Sequence, residues 1–290
     1  MDVLHFPKND GSVKEGYYNA YYAFVRRWAL AAGIEVIDTK TDKVWCGRSI
    51  NTFSCVYNDA QFVMDFSDFK KFQMNPVEFD CPYFKWHYSY DCLGHLKTKN
   101  VYPLSILLGF AWKQFCECRK LVTYKANGNK ILNNQRPRHA AAKRRTFVHE
   151  MLTEKYGKDL SKGYIGQTDW WLSHNDCLVA VVVPGARNDM LDRGHFEEMG
   201  LGICIICPEI VTVLLRNLVL EPFKHYVPVE PDYSDLIEKI EWCKQHRDEC
   251  IHIGNQARIL FDKVANPHKY WTYIREILHG YSEHLYNVEK

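Results

Sequence analysis

Residues 187–197 hold Arg187, Asn188, Arg193, His195 and Glu197, and two apolar, largely β-branched runs, 178–183 and 203–206, flank them. Each run reads as a strand buried on both faces, the pattern of a parallel sheet. Between them the sequence reads as a polar loop with Gly185, a short helix opening near Arg193, and a stop at Gly200 and Gly202. Backbone N–H groups and cations at such a helix start can hold a phosphate. Arginine suits that task through its planar fork of donors. Arg193, Arg187 and His195 are therefore candidate diphosphate ligands. Glu197 is a candidate acceptor for a ribose hydroxyl, and the whole reads as a nucleotide-sugar site.

A second constellation is Asp65 and Asp68, at the end of the apolar run 61–66. A carboxylate placed there can act as general base toward an acceptor hydroxyl. Asp68, further into the loop, is the first choice and Asp65 the second. The same pair also fits a turn-capping role or a Mg²⁺ or Mn²⁺ site against a diphosphate. Arg136, Arg138, His139, Lys143, Arg144 and Arg145 form the densest basic cluster. It reads as a solvated helix start or as an anion site. A nucleic-acid backbone would also suit it, but no nucleic-acid-binding motif accompanies it. There is no G-x-S-x-G elbow, P-loop or early G-x-G-x-x-G, which disfavours hydrolase, P-loop and dinucleotide chemistry.

The elements that must position these groups alternate in type, which predicts an α/β fold with parallel sheets. Strands are expected at 3–6, 34–37, 52–58, 61–66 and 83–87, with helices from Tyr18 to a stop at Gly33 and over 103–118. The second half is expected to restart with a strand at 121–124. A helix over 140–156 follows, burying Phe147, Met151 and Leu152. Ser234 is expected to cap a helix, a further helix covers 249–264, and Asn266-Pro267 opens the last one. The expected division is 1–119 and 120–290, two Rossmann-like halves, with the last helix able to pack back on the first.

With 290 residues, 25% charged and a net charge of +2, no global field favours nucleic acid or a membrane. The N-terminal segment has no secretory pattern. The apolar stretches 102–118 and 203–220 carry Lys113 and, in the second, Pro208, Glu209 and Arg216, so both read as core rather than spans. Eleven cysteines without framework spacing, among them the close pairs Cys116/Cys118 and Cys204/Cys207, read as buried free thiols of a reducing, cytoplasmic compartment.

The stretch 177–208 resembles the donor half of GT-B glycosyltransferases, especially the exostosin and CAP10/protein O-glucosyltransferase-like groups. Arg193, Glu197, Gly202 and the run 203–208 carry that likeness. Arg193 stands four residues before Glu197, one more than the usual exostosin spacing. His225-Tyr226-Val227-Pro228-Val229 followed by Tyr233-Ser234-Asp235-Leu236 is similar to the HYIPV…sDL segment of the CAP10-like group, and Ile240-Glu241-Trp242 also fits. The resemblance implies two Rossmann-like domains facing a central cleft, the first for the acceptor and the second for the donor. It implies transfer of a UDP-linked sugar, xylose or another, to a glycan or glycoprotein hydroxyl, with inversion and without a metal. Arg193, Arg187, His195, Arg138, Lys125, Gly200 and Gly202 would surround the donor, Lys125 and Arg138 from the loop after the first donor-half strand. Glu197 would take the ribose, with Asp68 or Asp65 the base. Compact relatives include virus-encoded enzymes, which would place the chain in a host cytosol. The rival readings are a metal-dependent transferase using Asp65 and Asp68, and a sugar- or nucleotide-binding module without turnover.

Overall fold

The computed structural model describes residues 2–8, 17–46, 51–67, 71–94, 100–105, 112–133, 135–137, 139–161, 166–185 and 187–288. The chain divides into two compact units. One comprises Met1–Phe110, Val213–Leu218 and Val264–Lys290; the other comprises Ala111–Thr212 and Val219–Lys263. The α/β expectation is borne out in both.

The first unit contains β1 (Val3–Pro7), α1 (Tyr17–Ala31), β2 (Glu35–Thr39), β3 (Trp45–Cys46), β4 (Thr52–Tyr57), β5 (Ala60–Asp65), β6 (Tyr83–Lys85) and β7 (Val101–Pro103). Its sheet runs β2-β1-β4-β5-β6-β7, with β3 on β4. The sheet is mixed rather than parallel throughout. β1–β2, β5–β6 and β6–β7 are parallel, while β1–β4 and β4–β5 are antiparallel. The cause is local. Asn58 and Asp59 both take positive φ, 45° and 71°, a tight turn that suits Asn and Asp and reverses the chain at once. A parallel crossover needs a dozen residues or more. Gly33, at φ +80°, ends α1 as its position suggests.

The second unit holds α2 (Trp112–Leu121), β8 (Lys130–Leu132), α3 (Ala142–Tyr156), α4 (Gln167–Leu172), β9 (Cys177–Val181), α5 (Arg193–Leu201) and β10 (Ile205–Pro208). Next in sequence are the short strands β11 (Val213–Leu214) and β12 (Leu218–Val219), of which residues 213–218 belong to the first unit. Then come β13 (Val227–Val229), α6 (Leu236–Gln245) and α7 (Arg247–Val264), and α8 (Pro267–Val288) returns to the first unit. Its four-stranded sheet runs β13-β10-β9-β8, parallel throughout. β9 and β10 are buried along their whole length, as their apolar runs require.

Three local expectations are corrected. The strand expected at 121–124 forms instead at β8, because Thr123 N–H donates to the Asn175 side chain (2.8 Å) and not to a neighbouring strand. On α3 the buried stripe is Val148, Leu152 and Tyr156, spaced by four, and Phe147 is exposed. Asp235, not Ser234, occupies the N-cap of α6. The opening of α8 follows its sequence signal: Asn266 Oδ1 accepts from His268 N (2.9 Å) and Lys269 N (3.2 Å), with Pro267 at the first helical position.

Candidate functional site

In an open parallel sheet, ligands bind beyond the carboxyl ends of the strands. At that edge of the second unit the backbone is braced by side chains from several loops. After β8, Asn133 donates to Val181 O (3.0 Å), and Gln135 accepts from Val183 N. From α3, Arg145 donates to Val183 O (3.0 and 3.1 Å), and Arg144 donates to Gly185 O (2.6 Å). After β9, Asn188 donates to Pro231 O (2.7 Å) and accepts from the Tyr233 hydroxyl (2.8 Å). The basic cluster therefore serves partly as scaffold: Arg144 and Arg145 fix the loop that follows β9.

The start of α5 already holds an anion. Asp192 is its N-cap, and its Oδ1 accepts from Gly194 N (2.8 Å) and His195 N (3.4 Å). Arg145 pairs with its Oδ2 at 3.1 Å. Burial works against the Asp192 charge, but hydrogen bonds and charge from His195 and the Arg145 guanidinium hold its carboxyl below the usual value. The expectation of free N–H groups for a phosphate is thus corrected at this helix start: the carboxylate of Asp192 takes that place. His195 is corrected with it. Its ring is wholly buried, and Nδ1 lies 3.1 Å from Asp192 N in a reciprocal capping box, so it shapes the helix start from inside.

Arg193 and Glu197 lie one turn apart on α5 and form an ion pair, Nε to Oε1 at 2.5 Å. Their spacing of four is what a helix needs to bring two side chains together. Glu197 is 6% exposed and also accepts from Trp171 Nε1 (3.1 Å) and Gln167 Nε2 (3.3 Å), both on α4. The Arg193 side chain is 49% exposed. Next to this pair, Glu198 and His174 form a second, fully enclosed ion pair at 2.5 Å. Burial opposes the imidazolium, but the Glu198 charge and hydrogen bond, together with the carbonyls of Trp170 and Trp171, outweigh it and raise His174 above its ordinary value. Trp171, Gln167 and His174 carry no sequence signal as site-builders beyond the adjacent tryptophans at 170 and 171.

The other residues expected around a donor are dispersed. Arg187 is engaged by both carboxylate oxygens of Asp189, two residues on. Gly200 packs flush on two rings: an added Cβ would lie 2.6 Å from Phe115 and 2.9 Å from Phe261. Gly202 ends α5 at φ +78°. Both glycines are explained by helix packing and termination. Lys125 precedes β8 and is exposed. Neighbouring Tyr124 donates to Leu178 O near the start of β9 (2.5 Å), so Lys125 sits at the amino-terminal edge, opposite the loop after β9. Its expected place depended on a strand at 121–124, and it moves with that strand. Arg138 lies outside the described residues.

In the first unit Asp65 ends β5 and is wholly buried. Its Oδ1 accepts from Ser67 N (2.8 Å) and faces Lys85 Nζ at 3.4 Å; its Oδ2 accepts from the Tyr83 hydroxyl (2.9 Å) and Gln73 N (3.1 Å). Lys85, equally buried, also donates to Ser67 O and Ser67 Oγ, each at 2.8 Å. Burial and the adjacent carboxylate push the Tyr83 hydroxyl far above its ordinary value, so it stays a donor. Asp65 is thereby a framework carboxylate with both oxygens committed, which corrects its reading as a base. The Lys85 ammonium already supplies the counter-charge that a divalent ion at Asp65 would have to displace. Asp68 lies outside the described residues. The segment after Asp65 borders a concavity of about 410 Å³ lined by Phe72, Gln73, Met74, Asn75 and Asp91, among others.

Residues 214–290 match the profile of glycosyl transferase family 90. That range contains the segment 225–236 and bears out its CAP10-like resemblance. Protein O-glucosyltransferase 3 of Homo sapiens is 35% identical over 66 residues, 23% of this chain and 13% of that protein. Uncharacterized protein 179R of Invertebrate iridescent virus 6 is 31% identical over 91 residues, 28% of this chain and 7% of that protein. The chain thus spans only a small part of these relatives. Among solved structures, sucrose-phosphate synthase from Thermosynechococcus elongatus aligns with a TM-score of 0.43 and 14% identity, over 71% of this chain and 58% of that one. No helix among the described residues is long and apolar enough to cross a membrane.

Proposed function

We propose that this chain is a GT-B glycosyltransferase that moves a sugar from a nucleoside diphosphate donor to a hydroxyl of a glycan or glycoprotein. The observation that carries the reading is the family 90 match over residues 214–290. The braced carboxyl edge of the parallel sheet supports it, because that is where the fold class holds ligands. The donor is UDP-linked, with xylose or a related sugar transferred, and the reaction proceeds with inversion and without a metal.

In this reading Asp68 removes the proton from the acceptor hydroxyl. The resulting oxygen attacks the anomeric carbon, and the bond from that carbon to the diphosphate oxygen breaks. The half-exposed Arg193 offers its outer guanidinium nitrogens to the departing diphosphate while its Nε remains on Glu197. Glu197, held on three sides, presents what acceptor capacity remains to the ribose. Arg187 joins the phosphates by exchanging its partner Asp189. Arg138 is a further phosphate ligand, and the concavity by Phe72 and Asp91 contacts the acceptor. The chain acts in the cytosol.

The test is release of nucleoside diphosphate from a panel of nucleotide sugars, with and without glycan acceptors. Asp68→Asn should lower turnover by about 10²–10⁴-fold, the share of a general base, and leave donor binding intact. Donor binding with no turnover by the parent chain on any acceptor would favour a binding module. Activity lost to EDTA and restored by Mn²⁺ would favour the metal-dependent reading.

A further inference from the structure

Three of the eleven cysteines, distant from one another in sequence, converge at one point. Cys204 lies just before β10, Cys243 in the last turns of α6 and Cys250 in the first turn of α7. Their sulfur atoms all lie within 4.8 Å of one another, and each residue is wholly buried. The surroundings are aliphatic: Leu178, Ile240 and Ile253 belong to the same core. Cys207, the sequence neighbour that pairs with Cys204 by spacing, is not in the group.

The convergence is built by the backbone. Gly254, one turn beyond Cys250, lies so close to the end of α5 that an added Cβ would stand 2.1 Å from Gly202 O and 3.1 Å from Cys204 N. Only a glycine lets α7 approach this closely, and that approach sets Cys250 against Cys204. The short break between α6 and α7 carries Cys243 to the same point. The group lies at the amino-terminal edge of the parallel sheet, away from the proposed donor loops.

We propose that Cys204, Cys243 and Cys250 form a binding site for a soft, thiophilic metal ion that pins α6 and α7 to the sheet. Thiolate sulfur selects Cu(I), zinc and iron–sulfur centres. Structural zinc almost always takes four protein ligands. Among the described residues no further His, Cys, Asp or Glu completes this set, so three-coordinate Cu(I) is the fitting ion. Each copper–sulfur bond to a thiolate releases one proton to solvent, and the copper stays monovalent, so no oxidant or reductant is consumed. The start of α7 places the positive end of a helix beside Cys250, which favours a thiolate there.

The reduced full chain, titrated anaerobically with Cu(I) against a chromophoric Cu(I) chelator, should bind one ion per chain. X-ray absorption should show a three-sulfur shell, and the unfolding midpoint should rise. C204A, C243A and C250A should each lose that ion. A control variant, C46A/C92A/C116A, removes the three cysteines that are not buried. It should bind copper as the parent does, which keeps the test decisive if a core variant fails to fold. Copper uptake lost in that control, or unchanged in a folded C250A, overturns the proposal. So does a parallel zinc titration in which Zn(II) binds and Cu(I) does not.

Discussion

Asp65 and Lys85 face each other in the register of two adjacent parallel strands, and both are wholly buried. Breaking a buried pair by removing one partner typically costs about 3–5 kcal/mol, because the survivor is left charged and unpaired. Lys85→Met and Asp65→Ala should each show a loss of that order in urea unfolding. Asp68→Asn should leave stability unchanged and reduce turnover instead. A result in which Asp65→Asn alone abolishes turnover in a fully stable protein would return the base to Asp65. The sequence revealed two carboxylates at a strand end, where chemistry is often placed. It did not reveal that residue 85 would lie opposite residue 65, since that is a matter of strand register.

At the scale of elements, α5 is the part whose start was read for phosphate and found capped by Asp192. Asp192→Ala should cost about 1 kcal/mol for the lost cap, and more through the loss of its Arg145 contact. The pH dependence has a definite sign. The Asp192 carboxyl is lowered from 3.8, so its contribution is present above that value and fades as pH falls through its folded value. Parent and variant should therefore converge in acid, as read by denaturant midpoints. His174 behaves oppositely. It is raised from 6.5, so the stabilisation from its pair with Glu198 is full below that value and is lost as pH rises through the folded one. His174→Gln should narrow its stability gap to the parent on going from pH 6 to pH 9. Strands β9 and β10 were legible because unbroken β-branched runs have few other uses. Strand β8 was missed because its three residues carry too little pattern and a stronger apolar run precedes it.

At the scale of the molecule, α8 belongs with the first unit although it is last in sequence. Trp271 is buried and meets the rings of Tyr57 and Phe62, while Tyr270 meets Trp28. Trp271→Ala should destabilise the chain by about 3–5 kcal/mol in equilibrium unfolding. The α/β class was legible from alternating patterns. The mixed sheet was not, because one Asn-Asp turn decides it. In the proposed function a nucleotide-sugar donor is held beyond the carboxyl ends of β8, β9, β10 and β13. Hydrogen–deuterium exchange with and without millimolar UDP-sugars tests it most directly. Bound donor should slow exchange across residues 182–193, extending into 133–137 and 230–235. Unchanged exchange in those loops with every UDP-sugar, or protection confined to other parts of the chain, would contradict it.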